Sequence, residues 1–539
     1  MRFFNTAGPV DCQRHYCLPP LQRFDLSEVE MLIEQQKYFV LHAPRQTGKT
    51  SCLLALMDYL NEQGRYRAVY CNVEPAQAAR EDVAQAMNDI LREMARSAQI
   101  YLKDNFLDQN KYHFLERGGH GTALSSALSA WAEGSDKPLI ILMDEIDSLI
   151  GDSLISVLRQ LRAGYTRRPE YFPQSIVLCG VRDVRDYRIH SSATKEVITG
   201  GSAFNIKAKS LRLGDFIKPE VESILAQHTE ETGQKFTSEA VTCIWHLSQG
   251  QPWLVNALAY EVCFEMKEDR DRSVVIVKEM VEQAKESLIA RRETHLDQLG
   301  DKLQEERVQR VVEPMLEGQD LDVRLDDLQY VQDLGLIHDT DKGPQIANPI
   351  YAEIIPRELT VSHQANLEAR YDQAWYVRSD GSLDVEKLLF AFQEFFREHS
   401  EAWLERFAYK EAGPQLLMQA FLQRVVNSGG RVEREFGLGR MRTDLLVLWP
   451  LAQAQPGKPS WIRWQGPVQK AVIELKILYK SRETTIQEGL RQTWEYMDRC
   501  GAEEGHLIVF DRRVNVSWEE KLFRRNGAYQ GQKITVWGM

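Results

Sequence analysis

The sequence predicts an α/β protein: a parallel sheet covered on both faces, then a helical stretch, then a smaller mixed α/β module. Three observations predict it. Over the first third of the chain, short runs that are apolar at every position alternate with helix-like stretches, and strands of that kind belong to sheets buried on both sides. Strand-like runs stop near residue 211. From residue 416 the charge changes sign: residues 416–539 hold 19 Lys and Arg against 13 Asp and Glu, a net of +6, which leaves −18 on residues 1–415.

In chain order, Tyr38-Phe39-Val40-Leu41-His42 is the first apolar run, followed by a loop and a helical run from Thr50 to Asn61. Ala68 to Val73 is a second strand candidate, and residues 76–100 carry apolar positions at helical spacing. Leu139 to Met143 and Ser175 to Cys179 are further buried-strand candidates. Residues 215–290 read as several amphipathic helices. Residues 291–360 add helices and then a small hairpin around Leu334 to Ala347, a pattern compatible with a winged helix.

Composition narrows the class. The chain has 539 residues, enough for three to five domains at roughly 100–200 residues each. Hydrophobic residues make up 43% and charged residues 27%, so the chain can bury cores and is not generically disordered. The net charge of −12 argues against non-specific nucleic-acid binding by the whole surface. No apolar run is long enough for a membrane span, and Met1 to Thr6 lacks the apolar core of a signal peptide. The eight scattered cysteines are expected to be reduced thiols in a cytoplasmic protein. Cys12, His15 and Cys17 lack the spacing of a structural zinc site.

Ala43-Pro44-Arg45-Gln46-Thr47-Gly48-Lys49-Thr50 follows a strand and opens a helix. It fits the phosphate-binding P-loop pattern, with Ala43 standing where the first glycine is usual. Gly48 lets backbone N–H groups turn toward phosphates at a helix N-terminus. Lys49 neutralises the β and γ phosphates, and the Thr50 hydroxyl ligates Mg²⁺. Ala43, Gln46 and Thr47 complete the expected cradle for ATP. The strand at 139–143 ends in Asp144-Glu145-Ile146-Asp147. Asp144, at the carboxyl end of a strand, faces the ligand crevice and is expected to hold Mg²⁺, directly or through water. Glu145 polarises the attacking water. Asp147 reads as a helix N-cap, and Arg182 is a candidate sensor of the γ-phosphate.

With Met143-Asp144-Glu145-Ile146-Asp147 and Gly250-Gln251-Pro252, residues 16–360 resemble the archaeal-type, STAND-like branch of AAA-related P-loop ATPases. The resemblance implies that Gly250-Gln251-Pro252 lies in a helical lid, that Pro252 approaches the nucleotide base, that Tyr16 to Pro20 is a base-side segment, and that a winged helix follows the lid.

The basic module carries a second constellation. Asp444 opens a strand-like run, and Ala471-Val472-Ile473-Glu474-Leu475-Lys476-Ile477 is another. Glu474 and Lys476 are two residues apart and share a strand face. Acid and lysine on a half-buried strand are costly unless paired or put to use. Two carboxylates that bind a divalent cation, with a lysine beside them, are what phosphodiester hydrolysis needs. Arg440 and Arg442 are candidate phosphate contacts, and Glu435 is a candidate further ligand. His506, in an apolar strand, reads as a core group.

Asp444, Glu474-Leu475-Lys476 and Gln492-Thr493-Trp494-Glu495-Tyr496, in that order, resemble the PD-(D/E)xK nuclease superfamily, in particular its RecB-like branch. The proline of the family's name is absent. The helix around 415–427 offers Gln419 and Gln423 where the superfamily often has a glutamate. The resemblance implies that Asp444 and Glu474 hold Mg²⁺ or Mn²⁺ and that Lys476 and Gln492 orient water or substrate.

The expected organisation is a P-loop ATPase core at 1–210, a helical lid at 211–290, a winged helix at 291–360, a helical linker at 361–415 and a nuclease-like domain at 416–539. The expected function is ATP binding and hydrolysis controlling cleavage of nucleic acid, DNA in the first instance, by a magnesium-dependent endo- or exonuclease, in a homo-oligomer with no membrane partner. Such fusions resemble proteins of defence or mobile elements. The alternative is a nucleotide-driven switch or scaffold whose nuclease-like module binds nucleic acid or a protein without cutting.

Overall fold

The computed structural model describes the chain except for residues 185–187, 191–196, 267–270, 292–293, 318–322, 342, 360–374, 407–417, 419–420, 423–429, 437–442, 452–463, 465, 479–480, 512 and 514–515. It divides into two compact units, Met1–Ile276 with Gln332–Leu336, and Val277–Val331 with Ile337–Met539. The unit boundary falls inside the segment expected to be the lid. Among the described residues no helix is long and apolar enough to cross a membrane.

The first unit is built on five parallel strands, β1 (Tyr38–His42), β2 (Arg67–Asn72), β3 (Leu139–Asp144), β4 (Ser175–Gly180) and β5 (Lys207–Arg212). Their order in the sheet is β2-β3-β4-β1-β5. Alternate side chains of β1 and β3 feed two cores. Tyr38, Val40, Ile141 and Met143 pack on one face, and Phe39, Leu41, Ile140 and Leu142 on the other. This two-sided burial is why these strands are apolar throughout.

Strand β5 is a difference from the sequence reading, which saw no strand here. Its residues Lys207-Ala208-Lys209-Ser210-Leu211-Arg212 carry three cations and only two apolar residues. An edge strand has one neighbour and does not need an apolar signature; β5 is fixed by parallel pairing with β1.

Helix α1 (Lys49–Glu62) leaves the C-terminal end of β1, and the amphipathic α2 (Val83–Leu102) covers one face. Past β5 come α3 (Lys218–Thr232), α4 (Ser238–Ser248) and α5 (Pro252–Tyr260). Gln251 caps α5 by accepting the Leu254 N–H at 2.6 Å, and Pro252 stands at the first helical position, where no N–H is needed. A short parallel pairing of Phe3–Phe4 with His15–Tyr16 lies in the same unit. Cys12, before the second of these strands, and Cys17, just after it, form a disulfide, which corrects the expectation that all the cysteines are reduced: the turn at 11–14 brings the two Cα atoms to 5.6 Å.

In the second unit, helices at Lys278–Ala290, Thr294–Leu303 and Glu306–Glu317 precede the antiparallel hairpin Ile337–Thr340 and Gly343–Ile346. A six-stranded sheet follows, from β6 (Arg431–Phe436), β7 (Thr443–Pro450), β8 (Val468–Ile477), β9 (Glu504–Phe510), β10 (Phe523–Tyr529) and β11 (Gln532–Gly538), in the order β6-β7-β8-β9-β11-β10. The pairs β6–β7 and β7–β8 are antiparallel, and β8–β9 is parallel. That parallel step requires a crossover, supplied by α7 (Arg482–Cys500) once α6 (Val385–Arg406) has covered the opposite face. The crossover helix lies close against the sheet at Gly489, where a Cβ would come within 2.5 Å of the Leu507 side chain.

Candidate functional site

The P-loop joins β1 to α1. Gly48 takes φ +94°, a left-handed conformation that glycine adopts without strain, and no atom but an Arg23 nitrogen at 3.6 Å would meet a Cβ there. The conformation, not crowding, demands glycine. Ala43 ends β1 fully buried, donates its N–H to Gly180 O at 3.2 Å and takes no positive φ, so the usual first glycine is dispensable. Thr47 Oγ1 donates to Pro44 O at 2.8 Å, closing the loop on itself. Lys49 is buried, and its Nζ donates to Ala43 O at 3.0 Å and Pro44 O at 2.9 Å. The ammonium thus lies folded over the hollow of the loop, bonded to two of its carbonyls.

Asp144 is fully buried at the carboxyl end of β3. Its Oδ2 accepts the Thr50 hydroxyl at 2.7 Å and the Tyr70 hydroxyl at 3.1 Å, and its Oδ1 accepts the Glu145 N–H at 3.0 Å. A hydroxyl and a carboxylate converging at the N-terminus of α1 form an oxygen donor set that fits Mg²⁺. Glu145 holds φ +57°, a conformation that non-glycine residues adopt at a cost and that concentrates at functional sites. Burial first, and then Asp147, push its carboxyl pKa up, while Lys49 and Arg45 oppose the shift. Asp147 is not an N-cap. Its Oδ1 accepts the Val181 N–H at 3.2 Å and ties the end of β3 to the loop after β4. On that loop, Arg182 Nε lies 3.2 Å from Asp333 Oδ2.

A cavity opens beside the loop, with Gln46, Thr47 and Gly48 at one end and Pro252, Trp253 and Asn256 at the other. The structure therefore brings Pro252 and the P-loop to one hollow. The N-terminal segment at Thr6 is held by the Trp253 indole N–H, 2.9 Å from Thr6 O. Two contributors escaped the sequence reading. Arg23 donates to Thr47 O at 3.2 Å and Gly214 O at 2.5 Å and lies 4.5 Å from the Phe216 ring centroid; burial draws its pKa down. Tyr70 reaches Asp144 from the neighbouring strand. Neither belongs to a spacing pattern; a tyrosine two residues before the end of a strand that runs beside the Asp144 strand was the available signal for Tyr70.

In the second unit Glu474 is fully buried on β8, and Lys476, on the same face, forms an ion pair with it. This is the face of Val472, which packs toward α7; Ile473 and Leu475 pack the other way. Gln492, on α7, is 9% exposed, and its Oε1 has no hydrogen-bond donor among the described residues. Leu445 on β7 pairs with Ile473, so one step further along this antiparallel register sets the backbone of Asp444 opposite Glu474. The side chains of Asp444 and Glu435 lie outside the described residues, as do Arg440, Arg442, Gln419 and Gln423. Among the described residues no group of three or more His, Cys, Asp and Glu is placed to hold a metal ion. His506 is buried with both ring nitrogens occupied, Nε2 by Glu504 at 3.1 Å and Nδ1 by the Trp537 N–H at 3.3 Å.

Residues 22–355 match the AAA-like domain family. The match spans more than half of the chain, and the chain belongs to this family. With its parallel sheet, its loop at 43–50 and Asp144, it is an ATP-binding P-loop ATPase. Among solved structures it is similar to a Walker-type ATPase of Pyrococcus abyssi, at 14% identity over 65% of this chain and 99% of that one, with a TM-score of 0.44. Cdc6p from Pyrobaculum aerophilum is 14% identical over 64% of this chain and 95% of that one, with a TM-score of 0.34. A RuvB variant of Thermotoga maritima is 12% identical over 64% of this chain and 94% of that one, with a TM-score of 0.33. No curated protein matches the chain.

Proposed function

We propose that ATP binding and hydrolysis in the first unit control metal-dependent cleavage of nucleic acid, DNA in the first instance, by the C-terminal sheet of the second. The observation that carries the nuclease half is the fully buried Glu474, paired with Lys476 and set opposite the Asp444 position. Burying a carboxylate costs several kcal/mol, of order, unless partners compensate it. Such a group facing the α7 side of the sheet, with Gln492 Oε1 on that helix lacking a donor among the described residues, supports the reading of a polar site there.

In the ATPase half, the P-loop N–H groups and Lys49 bind the phosphates, Thr50 and Asp144 hold Mg²⁺, and Glu145, with its raised affinity for a proton, orients and deprotonates water. Bound Mg²⁺ neutralises charge on the phosphate oxygens. In the C-terminal module Asp444 and Glu474 hold Mg²⁺ or Mn²⁺, and Lys476 and Gln492 orient water or the scissile phosphate. The module's net +6 attracts a polyanion, because screening over about 8 Å gives local charge more weight than the total. The organisation into core, lid, winged helix, linker and nuclease-like domain, the homo-oligomeric state and a place in defence or mobile-element biology belong to the same proposal.

The direct test is cleavage of single- and double-stranded DNA by wild type and Asp444→Ala, with Mg²⁺ or Mn²⁺, each with and without ATP. Metal-dependent cutting lost in Asp444→Ala supports the reading; equal activity in both proteins sinks it. One observation favours the second reading, a switch or scaffold that binds without cutting: Lys476 already neutralises Glu474. No cleavage under any of these conditions, with nucleic acid still bound, establishes that alternative.

A further inference from the structure

Asp144 receives more donors than a cation site strictly needs. Its Oδ2 takes two hydroxyl protons, from Thr50 at 2.7 Å and from Tyr70 at 3.1 Å. A serine or threonine hydroxyl has one proton and two lone pairs. Thr50 can keep its proton on Oδ2 and turn a lone pair toward a cation, but only while Oδ2 stays in place. A carboxylate rotates about its Cβ–Cγ bond; the Glu145 N–H restrains Oδ1, and the buried Cys179 thiol adds a weak hydrogen bond to the same carboxylate. Tyr70 adds a stronger restraint, on Oδ2 itself.

The scaffold behind Tyr70 is rigid. It stands on β2, where Tyr70 pairs with Leu142 and Asn72 with Asp144, so donor and acceptor rise from neighbouring strands of one sheet. The Tyr101 ring meets it edge-on at 6.4 Å between centroids.

We propose that Tyr70 is a positioning residue for the divalent cation. Its hydroxyl locks the Asp144 carboxylate so that Thr50 and Asp144 present their oxygens to the metal in a fixed arrangement. This rests on the ATP reading of the same site. Groups that hold a metal ligand from behind typically contribute about 10- to 100-fold to metal affinity.

The experiment measures Mn²⁺ binding to the full-length protein with ATP, by electron paramagnetic resonance, and metal-free binding of a fluorescent ATP analogue. Tyr70→Phe removes one oxygen and keeps the ring. It is expected to lower Mn²⁺ affinity about 10- to 100-fold with metal-free ATP binding unchanged. In an Asp144→Asn background the same substitution should add nothing, because its effect runs through the carboxylate.

Four results overturn the inference: unchanged Mn²⁺ affinity in Tyr70→Phe, an equal loss of metal-free ATP binding, a full cost in the Asp144→Asn background, or wild-type ATP binding that does not respond to Mn²⁺. A wild type that binds no ATP overturns the nucleotide reading and this inference together.

Discussion

Arg182 and Asp333 form a buried ion pair: Nε lies 3.2 Å from Oδ2, and the two side chains are 12% and 1% exposed. Asp333 belongs to the short segment Gln332–Leu336, which packs into the first unit although its flanking residues lie in the second. In the same segment, Gly335 approaches Pro44 so closely that a Cβ would come within 2.7 Å of the proline ring, and the Gln332 carbonyl accepts an Arg212 N–H at 3.0 Å. The candidate γ-phosphate sensor is therefore engaged by an acid beside the P-loop.

This pairing makes Arg182 a competitor's prize between a carboxylate and a phosphate. Asp333→Asn should destabilise the nucleotide-free protein by about 1–3 kcal/mol, since the buried guanidinium keeps a neutral acceptor but loses its counter-charge. A double-mutant cycle of Asp333→Asn with Arg182→Ala, read by denaturant unfolding, should give a coupling that shrinks when ATP is added. A coupling that ATP leaves untouched removes Arg182 from the phosphate site.

Lys49→Ala should abolish ATP binding, because the ammonium now bonded to two loop carbonyls is the charge that meets the phosphates. Glu145→Gln should bind ATP normally and turn over about 10²- to 10⁴-fold more slowly, the range for loss of a positioned general base. Binding by calorimetry and phosphate release separate the two. Wild-type turnover in Glu145→Gln would assign the water to another residue.

The raised pKa of Glu145 has a consequence for stability. A carboxyl whose folded pKa exceeds its unfolded value contributes fully below the unfolded value, and the contribution is lost as pH rises through the folded one. Glutamine carries no charge at any pH. The melting temperature of Glu145→Gln relative to wild type, measured without metal or nucleotide, should therefore rise as pH increases above the ordinary glutamate range of about 4. A difference that is flat or falls over this window contradicts the burial argument.

Gly489→Ala tests the close packing of α7 on β9. The added methyl meets Leu507 within 2.5 Å and should cost about 1–3 kcal/mol by overpacking, visible as a lower denaturant midpoint. Because α7 carries Gln492, the same substitution should lower cleavage of DNA more than ATP turnover.

Lys476→Ala should eliminate DNA cleavage while leaving ATP turnover largely intact, since Lys476 and Lys49 belong to different units. Loss of both activities together would mean that the substitution damages the protein at large.

The parallel sheet and the phosphate loop were legible in the order of residues alone. Runs such as Leu139 to Met143 are apolar at every position, and only a strand covered on both faces buries them all. Gly48, Lys49 and Thr50 are local: loop, helix start and charge lie within a few consecutive residues, so spacing is enough to read them. The same holds for Glu474 and Lys476, whose shared face follows from a two-residue step.

What depends on neighbours distant in the chain became visible only in the folded molecule. The edge strand β5 has no apolar signature and exists through its pairing with β1. Asp147 is bonded across to Val181 rather than capping its own helix. Tyr70 meets Asp144 across 74 positions of sequence, and Arg182 meets Asp333 across 151. A hydrogen bond between side chains on adjacent strands leaves no periodicity in either strand, because it constrains one residue in each and nothing between them.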